Sequence, residues 1–133
     1  MGLGKTLSET LVRDIMSKSL IMADPSTTLY QIAKLMEQGV GSIFVKKDGV
    51  PAGIITDRDF AILTAANRIL LDTPVENVAS YPLKTIGPDK SVFDAAAAMS
   101  EAKIRKLAVV ENDKVIGIIT STDIVNLVGK NKN

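Results

Sequence analysis

The sequence has no cysteine, no histidine and no tryptophan, and aromatic residues are only 4% of it. Without Cys or His there is no disulfide, no thiolate or imidazole metal ligand, no Cys nucleophile and no His-based triad. Only carboxylate, lysine, hydroxyl and tyrosine chemistry is left. Few aromatics leave little for a base-stacking surface. Sixteen basic residues against fifteen acidic ones also give no net field to draw in a polyanion. Nucleic acid is therefore not favoured as a partner. Charged residues interrupt every apolar run well before the roughly 18 residues of a membrane span, and Met1–Thr10 has no signal-peptide core. A cytoplasmic location away from any membrane is expected. Gly4-Lys5-Thr6 imitates the end of a phosphate-binding loop but lacks the glycine five residues earlier, so it is discounted.

What is present is enough apolar material, 46% of 133 residues, for one packed domain or two small halves that need each other. The chain repeats itself. Val12–Ala61 laid over Val75–Val125, with Lys103 as one extra residue, pairs Val12, Ser17, Leu20, Pro25, Ala33, Met36 and Val45 with Val75, Ser80, Leu83, Pro88, Ala96, Met99 and Val109. Gly53-Ile54-Ile55-Thr56 and Asp59 pair with Gly117-Ile118-Ile119-Thr120 and Asp123. Such self-similarity marks a duplicated structural unit.

Each copy changes period in the same order. Short apolar runs, Leu20–Met22 and Leu83–Ile86, end in Asp24-Pro25 and Gly87-Pro88 and predict brief strands. Leu29, Ile32, Ala33 and Met36, like Val92, Ala95, Ala96 and Met99, fall on one face of a helix. Two strands follow in each copy, joined through Asp48-Gly49 in the first and Asn112-Asp113 in the second. Second helices are expected over about 57–71 and 121–129, and a short one near 7–15. Asp72-Thr73-Pro74 reads as a linker whose proline opens a helix behind a Thr cap.

The expected fold class is α+β: two pseudo-symmetric β-α-β-β-α repeats packed sheet to sheet. The first spans residues 10–71 with the N-terminal helix, the second 72–129, and 1–9 and 130–133 are flexible ends. A fifty-residue unit buries too little surface to stand comfortably alone.

Gly-Ile-Ile-Thr-x-x-Asp ends both copies at a strand-to-helix junction, where free backbone N–H groups favour anions. Thr-x-x-Asp is also a capping box, and Thr6/Glu9, Thr28/Gln31, Thr73/Glu76 and Ser91/Asp94 repeat that pattern. The preceding glycine, which permits close backbone approach, points beyond capping.

On these residues the chain resembles a tandem pair of CBS domains, a Bateman module, over about Thr10–Val128. The resemblance implies a non-catalytic regulatory module that binds adenosine-containing ligands (AMP, ADP, ATP, S-adenosylmethionine or NAD) in clefts between the repeats. It implies no cofactor beyond such a regulatory nucleotide. It also implies an unknown regulated partner protein and a dimeric assembly.

Carried over by position, Thr56, Asp59, Thr120 and Asp123 would hold ribose. Leu20, Ile21, Met22, Ser42 and Ile43, with Leu83, Lys84, Thr85, Lys106 and Leu107, would surround adenine. Arg58, Arg105 and Lys106 would meet phosphate. Arg105-Lys106 stands where the first copy has Gly41-Ser42, so two unequal sites are expected.

Asp59 and Asp123 as an acid/base pair or Mg²⁺ ligands would make an enzyme, but no nucleophile and base accompany them. An adaptor using Arg105, Lys106, Lys130 and Lys132 is the alternative without nucleotide control. Apolar residues on several faces of the second helices (Phe60, Ile62, Leu63, Ala66, Ile69 and Leu70; Ile124, Val125, Leu127 and Val128) predict a homodimer joined through helices.

Overall fold

A computed structural model describes residues Thr6–Lys130. In chain order the elements are α1 (Val12–Ile15), β1 (Met22–Ala23), α2 (Leu29–Glu37), β2 (Ser42–Lys47), β3 (Val50–Thr56) and α3 (Asp57–Ala61). A 3₁₀ turn at Val75–Asn77 precedes β4 (Thr85–Ile86), α4 (Val92–Ala102), β5 (Lys106–Glu111), β6 (Lys114–Thr120) and α5 (Ser121–Lys130). The fold is α+β, with two three-stranded sheets ordered β1-β2-β3 and β4-β5-β6. In both, the first pairing is parallel and the second antiparallel.

Local chemistry explains most boundaries. Thr28 and Gln31 form a reciprocal capping box at the start of α2, and Ser91 accepts from the Asp94 amide at the start of α4. Asp48 and Gly49 both take positive φ (54° and 81°), as do Asn112 and Asp113 (53° and 63°). Both hairpins therefore close on the two-residue turn that matches strand twist. Lys103 takes the left-handed position (φ 57°) just past α4, as Gly39 (φ 93°) does after α2, so Lys103 is the counterpart of Gly39 and the extra residue of the second copy lies before it, within α4.

Three expectations fail. The helix from Asp57 stops early: after α3, Ile62–Ala66 winds as a π-helix, and Arg68 turns left-handed (φ 55°). Thr64 Oγ1 donates back to the Phe60 carbonyl, and the reversal returns Ile69 to the apolar core. Pro74 is extended and lies outside the 3₁₀ turn rather than opening a helix, and the Glu76 N–H donates to the Pro25 carbonyl instead of to a Thr73 cap. The segment 7–15 holds only four helical residues, preceded by a turn at Leu7–Glu9. Of the ends expected to be flexible, 1–5 and 131–133 lie outside the described residues, as does most of the discounted Gly4-Lys5-Thr6 motif.

The larger correction concerns the N-terminal segment, expected to belong to the first copy. The chain divides into Leu20–Leu83 on one side, and residues 6–19 with 84–130 on the other. Val12, fully buried, packs with Val92, Ala95, Met99, Leu107, Val109, Ile119 and Ile124 of the second copy. Its repeat partner Val75, equally buried, packs with Leu29, Ile32, Ile43, Val45 and Ile55 of the first. The segment preceding each copy thus completes the core of the other.

These two straps, Thr10–Ser17 and Thr73–Ser80, make matching backbone bonds. Val12 N–H donates to the Lys90 carbonyl and Arg13 N–H to Pro88, as Val75 donates to Thr27 and Glu76 to Pro25 (2.7–3.1 Å). Ser17 and Ile118 exchange both backbone bonds (2.8 and 2.9 Å), as do Ser80 and Ile54 (2.9 and 3.1 Å).

Candidate functional site

Each Gly-Ile-Ile-Thr-x-x-Asp segment runs along the last strand of its sheet into the following helix. The Thr56 N–H donates to Asp59 Oδ2 (3.0 Å) and the Asp59 N–H to Thr56 Oγ1 (3.1 Å). Thr120 and Asp123 repeat this at 2.9 and 3.2 Å. Both pairs are complete capping boxes, and all four side chains remain half-exposed. Each carboxylate keeps Oδ1 without a hydrogen-bond partner among the described residues.

The glycine of the motif has a different role from the one expected of it. A Cβ on Gly117 would lie 2.7 Å from Met16 Sδ and 2.9 Å from the Ser17 carbonyl oxygen. A Cβ on Gly53 would lie 2.6 Å from the Tyr81 ring and 2.9 Å from the Ser80 carbonyl oxygen. The close approach that these glycines permit is made by the chain's own straps. Nothing in the sequence of the motif distinguishes that from approach by a ligand.

Around Thr56–Asp59, Ser42 lies opposite Thr56 in the β2–β3 register, and the Asp57 N–H donates to the Gly41 carbonyl (3.1 Å). Around Thr120–Asp123, Lys106 lies opposite Thr120, and the Ser121 N–H donates to the Arg105 carbonyl (2.8 Å). Each copy therefore brings its box together with the start of its middle strand, flanked by Gly41-Ser42 in one and Arg105-Lys106 in the other.

Ile21, Met22, Lys84 and Thr85 are exposed, while Leu20 and Leu83 are half-buried. Backbone bonds tie this row to the middle strands: Phe44 N–H donates to the Ile21 carbonyl and Ala108 N–H to that of Lys84 (2.8 and 2.9 Å). Two of the residues assigned to adenine do not fit a side-chain role. Ile43 is fully buried and Leu107 nearly so, each within the apolar core of its own repeat. They face inward because side chains alternate along a strand, leaving only their backbone for a ligand.

Arg58 and Arg105 are exposed, and neither guanidinium has a partner among the described residues. Lys106 is half-buried. Asp123 also borders a shallow hollow of about 260 Å³ with Asp14, Ile15, Asn126, Leu127 and Lys130. That is below the roughly 300 Å³ at which small-molecule sites begin.

No group of three or more acidic residues able to hold a metal occurs among the described residues. No described helix is long and apolar enough to cross a membrane.

The family model for the CBS domain matches twice, at residues 12–64 and 75–130. The chain belongs to the CBS-domain family. This CBS pair is 36% identical over 114 residues to the CBS domain-containing protein YhcV of Bacillus subtilis, covering 85% of this chain and 81% of that one. Its fold matches an uncharacterized conserved protein from Pyrococcus horikoshii with a TM-score of 0.86 at 26% identity, over 93% of this chain and 95% of the other. It also matches the CBS domain pair of protein MJ0100 in complex with 5'-methylthioadenosine and S-adenosyl-L-methionine. There the TM-score is 0.81 and the identity 32%, over 92% and 98% of the two chains. The chain spans only 63% down to 24% of the length of several other curated relatives.

Proposed function

We propose that this CBS pair is a non-catalytic regulatory module. It binds adenosine-containing ligands at its two Thr/Asp junctions and passes their occupancy to a partner protein. The observation that carries the reading is the MJ0100 pair, a neighbour in fold and sequence that holds two such ligands. The chemistry of the junctions supports it. A carboxylate with one oxygen in a cap and the other unengaged can accept from a ribose diol, beside the first turn of a helix. Exposed Arg58 and Arg105, with Lys106, supply cations for a phosphate or carboxylate tail. Their uneven distribution favours two sites of different affinity.

Calorimetric titration with AMP, ADP, ATP and S-adenosylmethionine tests this. Saturable micromolar binding is expected for at least one of the four. Asp59→Asn and Asp123→Asn keep an oxygen for the cap but turn a donor toward the diol. Each should weaken its own site at least tenfold, about 1.5–3 kcal/mol for a bond to a charged group. Affinities unchanged in both variants would remove ribose from these junctions, and turnover of the nucleotide would make the protein an enzyme.

The pair is also proposed to form a homodimer. Phe60, Leu63, Ile69 and Leu127 pack onto the cores of their own repeats, but Ile62, Leu70, Val125 and Val128 are 44%, 71%, 66% and 52% exposed. Sedimentation at micromolar concentration should give about twice 14.2 kDa. A mass of one chain would contradict it.

A further inference from the structure

The backbone bonds that dock the two straps are the same in both copies, and Val12 and Val75 fill equivalent holes. Backbone bonds are blind to sequence, so they cannot decide which strap occupies which repeat. Charge differs. Arg13 Nε donates to Asp89 Oδ1 (2.8 Å) and Arg13 Nη2 to Glu111 Oε2 (2.9 Å). The hydrogen bond from Arg13 holds the Asp89 carboxyl below its usual range. At the equivalent positions of the other copy, Arg13 is replaced by Glu76, Asp89 by Ser26 and Glu111 by Lys47. Every charge that survives is reversed.

We propose that Arg13 and Glu76 are the specificity residues that assign each strap to its repeat. With the straps interchanged, Arg13 would face Lys47, and Glu76 would face Asp89 and Glu111. Both mismatches bring like charges together, whether the wrong strap comes from the same chain or from a second copy. A pair of exposed charges gives little stability, but a repulsive alternative adds to the difference between right and wrong docking.

Amide hydrogen exchange on the full-length protein tests this at the two bridges. Arg13→Gln should speed exchange of the Ser17 and Ile118 amides about threefold, and Arg13→Glu about tenfold, with Ser80 and Ile54 unchanged. Arg13→Glu combined with Asp89→Lys and Glu111→Lys should return both amides to within about twofold of the parent. On the other repeat, Glu76→Lys should speed exchange of Ser80 and Ile54, and Glu76→Lys with Lys47→Glu should restore it. Equal effects of Arg13→Gln and Arg13→Glu would overturn the assignment. So would failure of the charge-reversed combinations to restore protection, whether the single variants fold or not.

Discussion

Gly117→Val should destabilise the protein by at least about 3 kcal/mol and lower its melting temperature by about 10 °C. The added carbons collide with Met16 Sδ and with the Ser17 carbonyl oxygen. The sulfur can swing away, but that oxygen accepts the Ile118 N–H and is held in place. The strap must lift, exposing Val12 and breaking both backbone bonds of the bridge. Gly129→Ala is the matched control. Its Cβ meets nothing within 4 Å in α5, so it should be neutral or stabilising by up to about 1 kcal/mol. Thermal unfolding of both variants checks the pair. A tolerated Gly117→Val would mean that the strap does not lie against β6.

Val12→Asp should cost about as much or more, at least about 4 kcal/mol, because an unpaired carboxylate enters a fully buried apolar site. Val12→Ala should cost about 2 kcal/mol and leave a foldable protein. The location of the damage is more telling than its size. Although Val12 precedes the first copy, accelerated amide exchange in Val12→Ala should fall on Leu107, Val109 and Ile119, sparing Ile43, Val45 and Ile55. The opposite distribution would restore the N-terminal segment to the first repeat.

The repeat, the order of elements and both two-residue hairpins were legible in the sequence because each has a local cause: apolar spacing, an Asp-Gly or Asn-Asp turn, a Thr or Ser cap. The exchange of straps was not. Val12 and Val75, like Ser17 and Ser80, are identical, so periodicity and composition serve either pairing equally. The difference rests on charge: Arg13 pairs with Asp89 and Glu111, far away in sequence, and Glu76 stands at the equivalent position of the other strap. The early end of the helix after Asp57 was hidden for a related reason. Apart from Asn67, which caps its end, Ile62–Leu71 carries no residue that stops a helix by composition, and the chain turns where Arg68 goes left-handed and Ile69 packs onto the core.

At the candidate site, the Thr/Asp pairs could be found by matching the copies to each other. The inward aim of Ile43 and Leu107 could not be read from the family resemblance that named them. It follows from which face of each middle strand meets its own helices.

Amide chemical-shift mapping during titration with S-adenosylmethionine and with ATP tests most directly whether the two Thr/Asp junctions bind adenosine-containing ligands. The largest changes should fall on Thr56, Asp59, Gly41 and Ser42, or on Thr120, Asp123, Arg105 and Lys106, with one set saturating before the other. Saturating shifts confined to residues remote from both strand-to-helix junctions, or no shifts at millimolar ligand, would contradict it.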